Sequence, residues 1–136
     1  MINRRNILKS VGAASLAAVV GLTAMPAVAQ EMMVAASGVF EGRSKHVTSG
    51  SVKIINEGGR TFVELGEDFS LDGGPDPRVA FGKDGEYDPK TILGALLEMT
   101  GKQRYALPST LAATDYNEVY IWCEVAGVPL GVASLK

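Results

Sequence analysis

The chain has 136 residues, with 13 Lys and Arg against 15 Asp and Glu, and single copies of cysteine, histidine and tryptophan. The acidic balance argues against nucleic acid or an anionic membrane as a partner. One cysteine excludes an internal disulfide, a four-cysteine zinc or iron–sulfur site and c-type haem attachment, which needs Cys-x-x-Cys-His; one histidine excludes a blue-copper site, which needs two.

Asn3-Arg4-Arg5-Asn6-Ile7-Leu8-Lys9 precedes an apolar run from Val11 to Met25, and Ala27-Val28-Ala29 follows a short spacer. The run falls short of the ~20 residues that span a bilayer. Small residues stand at both positions that direct cleavage, so residues 1–29 are expected to be a secretory signal peptide cut after Ala29. The paired arginines favour the twin-arginine route, although Asn3 and Ile7 stand where that pattern usually has Ser or Thr and Phe. The expected product is periplasmic or secreted and carries no membrane attachment, since no cysteine stands at the cleavage site to take a lipid. In an oxidising compartment a lone Cys123 is buried and inert, paired between two chains, or functional.

After the signal, residues 30–36 read as a flexible leader and Ser37 to Gly42 as a short first strand. Arg43 to Gly50 is polar and rich in turn formers, so a loop or bulged strand is expected, with His46 in it. Ser51 to Ile55 and Arg60 to Leu65 flank Asn56-Glu57-Gly58-Gly59 as the arms of a hairpin, with Thr61, Val63 and Leu65 on one face. Gly66 to Leu71 extends or follows that strand. Asp72-Gly73-Gly74-Pro75-Asp76-Pro77 must be irregular, because neither proline can donate to a ladder. Arg78 to Phe81 is a short strand and Gly82 to Asp88 a polar connection.

Pro89 to Thr100 is ambiguous: Asp88 suits a helix cap, with Ile92, Leu96 and Met99 at helical spacing, whereas Gly94 between two apolar triplets suits a bulged strand. Tyr105 to Pro108 is extended, and Ser109 to Tyr116 a loop or single helical turn. Val119 to Val125 alternates strictly, with Val119, Ile121, Cys123 and Val125 on one side and Tyr120, Trp122 and Glu124 on the other. Ala126-Gly127 then turns the chain into Val128 to Leu135, which folds back antiparallel. About seven to nine short strands with Gly and Pro punctuation predict an all-β antiparallel sandwich or flattened barrel.

Gly38-Val39-Phe40, His46 with Ser49-Gly50, Asp68-Phe69, Gly74-Pro75-Asp76, Gln103-Arg104-Tyr105-Ala106-Leu107-Pro108, Ile121-Trp122-Cys123 and Leu130-Gly131-Val132-Ala133 occur in an order that resembles the DM-thirteen domain, a small all-β module often found beside DOMON domains. The likeness covers residues 37–136. It implies electron transfer with a redox partner, a protein or a small-molecule donor or acceptor, and a cysteine that acts as a bare thiol or helps hold a prosthetic group such as haem. By resemblance that role falls on Cys123. It also favours the extended reading of Gly94 to Leu97. The Gly127 to Leu130 region departs from the family, which is usually more aromatic there.

Cys123 is therefore the candidate redox-active thiol, and Cys123, His46 and Trp122 are the candidate cofactor-binding residues. The cofactor is left unknown, since haem has no signal of its own in this sequence, and no metal site is expected. Each residue has a plainer role: Cys123 as a small core residue, His46 as a loop histidine in a local hydrogen bond, Trp122 and Tyr120 as packing inside the sandwich rather than a pocket wall or an electron-hopping route. Two readings follow. One is an exported accessory redox module using a single cysteine, open to an intermolecular disulfide. The other is a non-catalytic interaction module whose cysteine is structural and whose Arg43 to Ser49 and Gly73 to Pro77 loops meet a partner protein.

Overall fold

In the computed structural model, which describes residues 31–136, eleven strands run in chain order as β1 (Met32–Gly42), β2 (Thr48–Ser49), β3 (Ser51–Glu57), β4 (Arg60–Leu65), β5 (Ser70–Leu71), β6 (Pro77–Lys83), β7 (Glu86–Tyr87), β8 (Gly94–Ala95), β9 (Gln103–Ala106), β10 (Glu118–Cys123) and β11 (Val128–Ser134). The expected signal segment lies outside the described residues. The main sheet has the order β7-β6-β10-β11-β1-β3-β4-β9, with β8 against β6; β2 and β5 form a separate ribbon. Every pairing is antiparallel.

β1 explains how one sheet makes a sandwich. Its first part, Met32 to Val39, pairs with β3, and its last part, Phe40 to Gly42, pairs with β11. The sheet curls on this shared strand, and the inner faces meet in one core: Val52, Ile54, Val63 and Leu65 from one half, Val79, Phe81, Val119 and Ile121 from the other. The strand starts at Met32, ahead of the Ser37 expected from sequence. Residues 32–36 alternate no polarity a sequence could read, with Met32, Met33 and Val34 all exposed, and β3 supplies the ladder that makes them a strand.

Local rules set the hairpins. Glu57 pairs with Arg60 across Gly58 and Gly59, both at positive φ (59° and 78°), a two-residue turn whose twist suits the flanking strands. Asp84 and Gly85, at 52° and 87°, turn β6 into β7 in the same way. The ambiguous stretch from Pro89 to Thr100 is no α-helix. Asp88 does cap, accepting from Lys90 N–H, but the helical piece is one 3₁₀ turn, Pro89–Thr91, and Gly94–Ala95 is extended against β6. Leu93 and Leu96 donate to Val79 and Pro77 carbonyls, so sheet pairing overrides the helical spacing.

Thr91, 1% exposed, ties this stretch to the core: its hydroxyl accepts from Phe81 N–H (2.8 Å) and donates to Asp88 O (2.7 Å). Thr91→Val keeps the shape and orphans a buried N–H. A loss of about 1–3 kcal/mol is expected, read from urea midpoints at unchanged m-value.

Candidate functional site

β10 delivers the candidate thiol. Val119, Ile121 and Cys123 are at most 1% exposed and face the core, as the alternation requires. The strand stops at Cys123, however, and Val125 stands in the following turn, 71% exposed, rather than on the core face. Glycine explains the early stop, because Gly127 takes φ 67° and its N–H returns to Cys123 O.

Cys123 lies in register with Pro77 on β6 and Val128 on β11. Its S–H donates to Pro75 O at 3.1 Å, and Sγ accepts from Ala126 N–H at 3.4 Å. What covers the sulfur is thus the irregular segment Asp72 to Asp76, here called the strap. Gly73 and Gly74 run through φ 135° and 142°, which side chains resist. Gly74 also packs tightly: a Cβ there would sit 3.1 Å from a Leu130 methyl and 3.6 Å from His46 Cε1. Leu130 is the extra residue of a bulge between β10 and β11, and Arg43 N–H and the Thr48 hydroxyl both donate to its carbonyl.

Both ends of the strap are anchored. Asp76, at φ 49°, receives a bidentate pair from Arg78, both contacts at 3.0 Å, while its carbonyl accepts from Glu124 N–H. Asp72 Oδ1 accepts from His46 Nδ1 (2.8 Å) and Oδ2 from Val47 N–H (2.9 Å). These bonds, Val47 N–H first and His46 second, hold the Asp72 carboxyl below its ordinary value. Asp68 is lowered likewise by Ser51 N–H and the Ser51 hydroxyl. A carboxyl depressed on folding contributes stability above its unfolded value, about pH 4, and loses it as pH falls through the folded value. Urea midpoints are therefore expected to drop below pH 4, and Asp68→Asn with Asp72→Asn to flatten that acid limb.

The chemistry available follows from the contacts. Cys123 donates to the Pro75 carbonyl and accepts from Ala126 N–H, so the two contacts tie the sulfur both to the strap above it and to the turn that follows it.

Trp122 points the opposite way. It stacks on Tyr87 on the outer face of the sheet, with centroids 3.7 Å apart and planes at 8°. Packing inside the sandwich, the plainer role expected for it, does not occur. Tyr120 is 4% exposed, and burial, then Glu118, pushes its hydroxyl up to about 12. With Arg43 and Glu86 these aromatics line an open groove of about 480 Å³.

The three candidate cofactor-binding residues do not surround one space. Cys123 faces the core, Trp122 faces outward, and His46 gives Nδ1 to Asp72. Ligation of a haem by sulfur needs a thiolate with an open side, whereas Cys123 is a hydrogen-bond donor closed in by Pro75 and Ala126. Cys123 as placed does not fit that role. Among the described residues no cluster of three or more His, Cys, Asp or Glu is disposed to hold a metal. Sequence reasoning missed the strap as the cover: Pro75 and Cys123 are 48 residues apart, and only the Asp-Pro-Arg spacing, which lets Asp76 reach Arg78, gave a local sign of its anchoring.

These features define a small antiparallel β-sandwich with one shielded thiol at the end of a central strand. The profile of the family described as Electron transfer DM13 matches residues 40–135, and the chain belongs to that family. No curated protein and no solved structure matches it.

Proposed function

We propose that the chain is an exported accessory electron-transfer module whose single working group is Cys123. The observation that carries this reading is the thinness of the sulfur's cover: Pro75 and Asp76 are exposed loop residues, and beneath them lies the thiol. In the first step the Cys123 thiolate attacks one sulfur of a partner protein's disulfide. A mixed disulfide forms, the partner's S–S bond breaks, and the other partner sulfur leaves as a thiolate that takes up a proton. One small-molecule thiol then displaces the partner as a dithiol, and a second frees Cys123 as the small disulfide departs. Two thiols are oxidised and one disulfide is reduced. The chain has no second cysteine to resolve the intermediate, so the partner's freed thiol can only reverse the step, and forward resolution needs the external thiol. Export rests on the features of residues 1–29, and the protein recovered from the cell envelope is expected to begin at Gln30 by mass.

Alkylation by iodoacetamide tests the reading. A rate insensitive to low denaturant, and faster than global unfolding permits, indicates local opening of the strap. Arg78→Ala removes the bidentate anchor; because the pair is one-third exposed and screened by solvent, the effect on stability is small. Alkylation is expected to speed up by at most about fivefold, with the global midpoint nearly unchanged. A rate that follows global unfolding instead makes Cys123 a structural residue, the reading its 1% exposure favours, and the chain an interaction module.

A further inference from the structure

Among the described residues the large exposed hydrophobic side chains fall into two groups. Met32, Met33, Val34 and Val39 stand on β1; Val47, Leu97, Met99 and Val125 stand on loops and are 69%, 64%, 41% and 71% exposed. The second group is gathered by the cover of Cys123. Leu71 N–H donates to Met99 O, Asp72 N–H to Val47 O, and Glu124 N–H, next to Val125, to Asp76 O; Leu96, next to Leu97, donates to Pro77 O. Three separate loops, the one after β8 supplying both Leu97 and Met99, thus hang their apolar side chains around the one segment that closes over the sulfur.

We infer that this ring is the docking face for the redox partner, a protein that carries its disulfide within an apolar patch bordered by Lys or Arg. The inference rests on the proposed thiol function and names the partner of that site. The ring stands on separate loop tips rather than lining a cavity, which suits a protein surface better than a small molecule. Charge narrows the choice. Asp72 and Asp76 are matched by His46 and Arg78, whereas Glu98 and Glu124 have no ion pair among the described residues. The border is left acidic beside Leu97 and Val125, although Lys45, near Val47, also has no ion pair among the described residues; the acidic side disfavours an anionic lipid surface and favours basic side chains opposite. Docking would press on the strap and hold a partner sulfur where the opened thiol emerges.

The test compares the parent with the triple variant Val47→Ser, Leu97→Ser, Val125→Ser, whose changes lie at exposed positions and leave the core intact. Both react with oxidised thioredoxin, as a protein disulfide, and with 2,2′-dithiodipyridine, as a small one. The variant is expected to form the mixed disulfide with thioredoxin about tenfold more slowly and to keep its rate with the small reagent. Equal rates with thioredoxin, or an equal slowing with both reagents, overturn the docking face. Should Cys123 react with neither reagent, the thiol reading fails, and amide shifts on adding oxidised thioredoxin decide the face by themselves: shifts confined to the ring sustain it, and their absence ends it. Self-association, or binding to phosphatidylglycerol vesicles, that disappears in the variant also overturns it, by giving the ring to a second copy or a membrane.

Discussion

Cys123→Ser is expected to abolish every thiol-dependent electron exchange of the chain while leaving it folded. The hydroxyl can still donate toward Pro75 O, the partner the thiol has at 3.1 Å, but it is no nucleophile toward disulfides at neutral pH. Cys123→Ala removes chemistry and donor together. It leaves the Pro75 carbonyl without its partner, a cost of about 1–3 kcal/mol, reduced to the extent that water reaches the exposed strap. The two variants therefore separate the redox role from the structural one. Equal inactivity with a stability loss in Ala alone fits a thiol that both reacts and pins its cover. Full activity in Ser with any disulfide substrate rules Cys123 out as the working group.

Phe69→Ala is expected to have the largest effect on stability, a loss of about 3–5 kcal/mol, which lowers the urea midpoint at constant m-value. Phe69 is 1% exposed and meets Phe40 edge to face, with centroids 5.4 Å apart. The surroundings cannot collapse into the space it leaves. Gly50, held at φ 100°, packs so closely that a Cβ there would fall 2.4 Å from Phe69 Cα, and Gly101 N–H is bonded to Phe69 O. Val39→Ala, at a 66% exposed position on β1 next to Phe40, should change stability by less than about 0.5 kcal/mol.

What the sequence disclosed was local. The hairpin around Gly58-Gly59 could be read because its turn chemistry agrees with the alternation of Arg60 to Leu65, and β10 could be read because β-branched and aromatic residues alternate without a break. The all-β class and the DM13 membership follow from the same kind of signal. Errors arose where partners distant in the chain decide. Val125 continued the alternation on paper, yet the turn at Gly127 lifts it into solvent. Trp122 sits beside Cys123 in sequence and on the opposite face in space, so adjacency suggested a shared site that the pleat forbids. Residues 30–36 looked like a leader because methionine and alanine carry little strand preference; from Met32 onward, pairing with β3 supplies what they lack. The contact between the thiol and Pro75, which most limits what Cys123 can do, joins residues with no common local pattern.

β1 has a further bearing on how the molecule is made. The strand emerges from the ribosome early, yet Phe40 to Gly42 find their partners in Gly131 to Ala133, and Ser37 exchanges two backbone bonds with Lys136. Closing so long a loop costs entropy before any contact rewards it, which places such topologies among folders of the millisecond to second range. The halves of the sheet cannot lock together until the last strand has been synthesised. During translation the nascent chain therefore carries an open seam from the emergence of β1 until β11 follows it.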